Sequence, residues 1–225
     1  MSIYLFNFIF FAVSSLLHRK KFPSSEEKCR FGLIISAKDE ENVIPRLINS
    51  IRSTDYPQDK LDIFIIAHNC KDNTARVAKE LGANVIVFND PKANTLGYAY
   101  QYAFKHINIH DYDGFLILNA DNIVSKNYFT KMNDAFVHFD KKCAITSFRH
   151  SLNIKDGVMP AMYAYYFSAS CVLTFVGREN FNVSTRITGC GYIIPTCMLE
   201  NGWNYTSITE DIEFSADKTL VNATA

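Results

Sequence analysis

The chain has no surplus of either charge: 23 Lys and Arg balance 23 Asp and Glu over 225 residues. Nucleic-acid binders announce themselves by a basic excess, so nothing points to that class. Glycine is scarce, at 9 residues, and there is a single tryptophan. Neither glycine-rich phosphate motif is present. There is no GxxxxGK[ST] loop, and no GxGxxG follows the first apolar run, which argues against a P-loop protein and a dinucleotide dehydrogenase. The six cysteines are Cys29, Cys70, Cys143, Cys171, Cys190 and Cys197. They include no CxxC pair and none sits near a histidine at zinc-finger spacing, which argues against a zinc site or a disulfide framework. Six free thiols fit a reducing compartment. The N-x-S/T triplets at Asn182, Asn204 and Asn222 then carry no meaning.

Ile3 to Leu17 is strongly apolar but falls short of the roughly 20 residues a spanning helix wants. It has no basic residues before it and no small-residue cleavage site after it, so it does not read as a signal peptide. His18, Arg19, Lys20 and Lys21 follow it, which puts that side in the cytoplasm. Residues 1–21 therefore read as a membrane-associated segment, spanning or lying on the bilayer, or else as a buried or interfacial helix. Residues 22–30 read as a polar linker, and 31–225 as one domain in the cytoplasm. About half the residues are hydrophobic in type (48%), enough for a full core.

From residue 31 the pattern alternates. Phe31 to Ser36, Leu61 to Ala67, Asn84 to Phe88 and Gly114 to Leu118 are short apolar runs that read as strands. Between them, helical spacing appears over Asn42 to Ser53, Thr74 to Leu81 and from Leu96 to Ile107. Pro45 is tolerated in a first turn, and Asp72 is placed to cap the second helix. Apolar strands alternating with amphipathic helices predict an α/β fold, a mainly parallel sheet flanked by helices on both faces. Ligands bind such sheets beyond the carboxyl ends of the strands. Three strands end there in polar residues: Ser36 to Glu41, His68 to Asp72, and Asn119 to Asn122. Several carboxylates on one rim repel one another unless a cation sits among them. A hard divalent ion, Mg²⁺ or Mn²⁺, takes oxygen ligands and bridges to phosphates.

Here the chain resembles a known family. The SAKDEE opening after the first strand, HNCKDNTA after the second, Gly97-Tyr98-Ala99 at the third helix, Asn119-Ala120-Asp121-Asn122, Gly189-Cys190-Gly191 and Thr209-Glu210-Asp211 resemble, in order and spacing, the motifs of family 2 glycosyltransferases. The resemblance implies the GT-A variant of a Rossmann-type fold and an inverting transfer of a hexosyl or N-acetylhexosaminyl group. The donor would be a nucleoside-diphosphate sugar, a UDP-sugar first, and the acceptor a glycan or a lipid-linked one, as in polysaccharide biosynthesis. It also implies roles. Ser36, Ala37, Glu40, Asn69, Asp72, Gly97, Asn119 and Asp121 would hold the nucleotide-sugar. Asp121 would hold the metal. Gly189, Cys190, Gly191 and Glu210 would face the acceptor, and Asp211 would be the general base within reach of the acceptor hydroxyl.

Each position has a structural reading beside the functional one. Asp72 can simply cap a helix. Asp121 can be a turn residue. Glu40 and Asp211 suit a helix N-terminus. His68 reads as a rim residue without a catalytic task, Arg149 and Arg178 as solvated charge, and Cys190 as a pocket wall. Tyr163, Tyr165, Tyr166 and Phe167 read as helix core or membrane-facing surface, with an acceptor-stacking platform as the sharper reading.

The chain also departs from the family. Asn119 replaces the first acid of the metal motif, His68 stands where Asp is frequent, and Leu96 stands where Lys is common. The sequence stops fourteen residues after Asp211, without the QxxRW segment. That leads to the expectation of a truncated relative, or of a site completed by a partner chain or a homo-oligomer. The competing reading is a catalytically impaired subunit that binds nucleotide-sugar or serves interaction. A nucleotidyltransferase would carry a basic, glycine-rich loop where Ser36 to Glu41 is acidic.

Overall fold

The computed structural model describes residues 2–17, 20–187 and 189–222, so His18 and Arg19 of the basic run lie outside the described residues. The chain divides into two compact units. The sheet unit comprises Phe22–Thr146 and Gly189–Phe214, and the helical unit Met1–Lys21, Ser147–Thr188 and Ser215–Ala225.

The sheet unit is built on six strands: β1 (Phe31–Ala37), β2 (Leu61–His68), β3 (Asn84–Phe88), β4 (Gly114–Asn119), β5 (Ile145–Thr146) and β6 (Tyr192–Pro195). Their order is β3-β2-β1-β4-β6-β5. The first four in that order are parallel, with Phe31 opposite both Leu61 and Gly114. β6 runs antiparallel to β4 and to β5. Burial explains the sequence pattern. Every residue of β1 except Ser36 is buried, because helices cover the central strands, whereas the edge strand β3 has no fully buried residue.

In this unit, α2 (Ile44–Arg52) turns Ile44, Leu47, Ile48 and Ile51 into the core. α3 (Thr74–Glu80), α4 (Leu96–Phe104) and α5 (Tyr128–His138) follow β2, β3 and β4. The first helix begins two residues later than the spacing predicts. The turn before it closes on Glu40, whose carbonyl accepts from Val43 N and Ile44 N. Pro45 then costs no hydrogen bond, since the first helical N–H groups have no partner in any case.

Residues 22–30 are pinned to the sheet unit rather than free. Asn133, fully buried on α5, accepts from Cys29 N (3.0 Å) and the Tyr56 hydroxyl (2.9 Å) and donates to Glu27 O (2.8 Å). Ser25 N donates to Asp134, and Arg30 N to Asp113. Nothing in the local sequence signals this clip, because Asn133 lies over a hundred residues from its partners in the segment.

In the helical unit, α1 (Ser2–Leu17) accompanies α6 (Val158–Ser170), which continues through a π-type turn, Cys171–Val176, into α7 (Gly177–Glu179). The close approach falls at Gly177, where an added Cβ would lie 2.0 Å from the Phe11 carbonyl oxygen. α8 (Glu210–Asn222) supplies Glu210, Asp211 and Phe214 to the sheet unit.

Replacing Asn133 by Ala strands the Cys29 N–H and the Glu27 carbonyl. The expected cost is about 3 kcal/mol, read as a lower urea midpoint in the emission of the buried Trp203.

Candidate functional site

Parallel pairing puts the carboxyl ends of β1, β2 and β4 side by side: Ser36 pairs with Asn119 and Ile66, and Ala37 with Ala67. The loops that follow β1 and β2 are locked together. Asp39, held at positive φ, accepts from Lys71 N (2.6 Å), and Glu41 accepts from Asn73 N (2.8 Å). In return, Asp72 accepts from Glu41 N (3.0 Å), and the Thr74 hydroxyl accepts from Glu40 N (2.8 Å). Asp72 also takes the Thr74 N–H (2.9 Å) and the Thr74 hydroxyl (2.5 Å) at the first residue of α3, although the N-cap position itself is Asn73 rather than Asp72. Burial alone would raise the Asp72 carboxyl, but the bonds from Thr74 and from Glu41 N outweigh it and hold it below the usual range. Thr74, wholly buried, was not legible as a site residue; the only signal was its place two residues after an aspartate.

Glu40 is different. Burial, and then the charges of Asp121, Asp72 and Asp39, push its carboxyl above the usual range. These four acids thus crowd one rim, with Glu41 beside them in the loop exchange. Among the described residues none of the four is in an ion pair. Asp121 is exposed, and one of its oxygens accepts from the Asn122 amide (3.1 Å). Asn122 in turn accepts from Asn119 N (3.0 Å), closing the turn after β4. This surplus of unneutralised oxygen ligands fits a hard divalent cation. Asp39, Cys70 and Asp72 also place ligand atoms within 4.8 Å of one another. That trio suits such an ion poorly. The Cys70 thiol donates to Ala37 O (3.2 Å), burial raises its pKa, and sulfur is the wrong donor for Mg²⁺ or Mn²⁺.

Two of the expected nucleotide-side residues have structural duties. The Asn69 amide donates to Asp90 O (3.0 Å) and accepts from Asp90 N (2.8 Å), tying the ends of β2 and β3 together. Gly97 lies under the segment before α8, where an added Cβ would stand 2.2 Å from the Tyr205 carbonyl oxygen. Thr95 donates to Thr206 O (2.8 Å) beside it. His68 is buried against Phe88, with a ring nitrogen 2.7 Å from Ala93 O. Ser36 and Ala37 end β1 at the rim.

The remaining expected residues gather at the start of β6. Because β6 is antiparallel, its first residues lie beside the carboxyl end of β4, and Gly191 N donates to Ile117 O (2.7 Å). Gly189 and Gly191 both adopt positive φ, which glycine reaches without steric cost. Gly189 N donates to the Asp211 carboxylate, which also accepts from Ile212 N (2.8 Å). Asp211 is thereby held at the turn that opens β6. Its neighbour Glu210 is buried, near Tyr100 and Tyr192. Burial, then the charges of Asp211 and Glu213, raise the Glu210 carboxyl to about 7. The single tryptophan, Trp203, carries no motif in the sequence. It stacks on Phe214 with ring centres 5.4 Å apart, packs against Tyr100 and Phe104, and donates to Tyr205 O (2.8 Å), in the core behind this end of the sheet.

The family model for glycosyltransferase like family 2 matches residues 29–217. The chain belongs to glycosyltransferase family 2. Solved structures of GT-A glycosyltransferases share its fold. The mannosyltransferase PcManGT of Pyrobaculum calidifontis, solved with GDP-Man and Mn²⁺, is 14% identical with a TM-score of 0.69, over 95% of this chain and 59% of that one. S. aureus TarS, as fragment 1-349, is 16% identical with a TM-score of 0.58, over 85% and 55%. Glucosyl-3-phosphoglycerate synthase of Mycobacterium tuberculosis, solved with UDP, is 16% identical with a TM-score of 0.58, over 91% and 73%. The chain therefore spans between half and three quarters of these neighbours' lengths. No curated protein matches it. At such identities the neighbours establish the fold alone.

Because Glu210 binds its proton more tightly folded than unfolded, the glutamate destabilises the fold as pH rises from about 4.5 toward 7. Glu210→Gln removes that loss. Thermal unfolding should show little difference near pH 4.5 and a gain for the variant at pH 8 of at most about 3 kcal/mol.

Proposed function

We propose that this glycosyltransferase moves a hexosyl or N-acetylhexosaminyl group from a nucleoside-diphosphate sugar to a hydroxyl of a glycan or lipid-linked acceptor, inverting the anomeric centre. The observation that carries the reading is the four-acid rim, with Glu40 raised by burial and then by the charges of Asp121, Asp72 and Asp39. Such a rim favours a ligand that arrives with a divalent cation. Neighbouring enzymes support this, having been solved with GDP-Man and Mn²⁺ or with UDP and Mn²⁺.

Asp121 and the Asn119 amide oxygen would hold Mg²⁺ or Mn²⁺. The ion would neutralise charge on the departing diphosphate. Ser36, Ala37, Glu40 and Asp72 would line the base and ribose, with Asn69 and Gly97 shaping the walls through their backbone ties. Asp211 would take the acceptor proton as the hydroxyl attacks from the face opposite the diphosphate. The N–H of Gly189 on its carboxylate fixes the direction of its free lone pairs. Glu210, its carboxyl raised to about 7 chiefly by burial, would stand beside this base. Gly189, Cys190 and Gly191 would border the acceptor. The N-terminal segment would keep the enzyme at the membrane, with its sheet unit in the cytoplasm.

Calorimetry with UDP and with GDP, with Mn²⁺ and then with EDTA, tests the donor half. Binding should require the metal and weaken at least about tenfold in Asp121→Ala, a loss of about 1.4 kcal/mol. Silence toward both nucleotides in folded protein overturns the proposal. Asp211→Asn should keep nucleotide affinity and lose turnover by about a hundredfold or more. Nucleotide binding without turnover on any acceptor in the native chain would favour the impaired binding subunit, a reading that the missing acid at Asn119 supports.

A further inference from the structure

The helical unit exposes apolar side chains on an unusual scale. Val158–Glu179 is a single 22-residue helical run, long and apolar enough to cross a membrane. It holds no charged residue before Arg178. Its outward positions are large: Met159 and Tyr165 are 76% and 77% exposed, and Val158, Met162, Tyr163 and Tyr166 are exposed too. α1 is likewise uncharged and exposes Leu5, Phe6, Leu16 and Leu17. The two helices lie side by side and point the same way. Phe11 meets Gly177, Ser14 accepts from the Asn180 amide (3.0 Å), and Lys20 donates to Asn182 (2.6 Å). Arg178 sits over the Phe11 ring at 5.3 Å.

The run is about 33 Å long, which matches a hydrocarbon core of about 30 Å. The sheet nonetheless forbids a crossing. Thr146 pairs with Tyr192, so the insertion leaves and rejoins the sheet at one point. A spanning helix would put its two ends on opposite faces of the bilayer. Either the 11 residues between Thr146 and Val158 or the 12 between Glu179 and Tyr192 would then have to pass back through the hydrocarbon. Those stretches contain Arg149, Lys155, Asp156 and Arg186 and little regular structure, and backbone of that kind is not tolerated facing lipid. Charge selects the lipid. The helical unit carries eight Lys and Arg against three Asp and Glu, within a neutral chain. Exposed tyrosines suit the headgroup level, and a basic excess suits anionic lipid.

We propose that α1 and the helix Val158–Glu179 form a monotopic seat that lies in the headgroup boundary of an anionic bilayer without crossing it. The seat does not depend on the sugar-transfer reading, and its test uses no nucleotide. Full-length chain is floated with phosphatidylcholine vesicles, with and without phosphatidylglycerol. Flotation should rise about tenfold with the anionic lipid and fall again at high salt. The double variant Met162→Glu/Tyr166→Glu should lose it while Trp203 emission stays native. Depth is read by brominated lipids in Met159→Trp and Tyr166→Trp, seven residues apart on one face. Equal quenching by shallow bromines is expected. A depth difference of about 10 Å between the two positions would mean a crossing helix and would overturn the proposal. So would self-association of the native chain without any flotation, which would assign the face to a second copy.

Discussion

The site depends on one arrangement, the exchange of backbone N–H groups between two acidic loops. The loops after β1 and β2 each bring carboxylates to the same rim, and unassisted they would drive each other apart. Asp39 and Glu41 reach across to Lys71 N and Asn73 N, while Asp72 and Thr74 reach back to Glu41 N and Glu40 N. Every bond to a carboxylate here is charge-assisted, roughly twice as strong as a neutral one. The repulsion is thereby spent on three of the acids. Glu40 keeps its burden, and Asp121, outside the exchange, has one oxygen without a hydrogen bond among the described residues.

A second constraint brings the far end of the chain to this rim. Four parallel strands end there, and only an antiparallel neighbour can begin there. β6 is that neighbour, and the turn that opens it anchors Asp211 through Gly189. Adjacent carboxylates on one helix then divide by environment. Asp211 stands at the turn with two N–H donors, and Glu210 is buried, which raises its carboxyl to about 7. Loss of water disfavours the charged form, which is why burial raises the Glu210 carboxyl.

The strands were legible because central parallel strands are buried on both faces and read as apolar runs; each run expected in the sequence is a strand, lengthened by at most one residue. The acids of the rim were legible for a related reason, since polar residues directly after buried strands have no core to serve. Contacts made across sequence distance were not. Asn133 clips residues about a hundred positions away, and Gly97 is required by a carbonyl at Tyr205. The Asn69 amide looks like a ligand group in the sequence, and in the structure its oxygen and its nitrogen both bond to the Asp90 backbone. The linker reading of residues 22–30 rested on polarity, and polarity is also what lets that segment hydrogen-bond to the sheet unit.

Zero net charge concealed a further division. Removing the helical unit's share leaves the sheet unit 15 Lys and Arg against 20 Asp and Glu. The balance of the whole chain is therefore the sum of two opposite demands. The acidic unit concentrates its excess on a rim that calls for cations. The basic unit flanks its uncharged helices with lysine and arginine, which calls for anions beside an apolar phase. Fields of opposite sign on two parts of one chain act locally, within about 8 Å at physiological salt. Composition averages them away, and only the division of the chain into units recovers them.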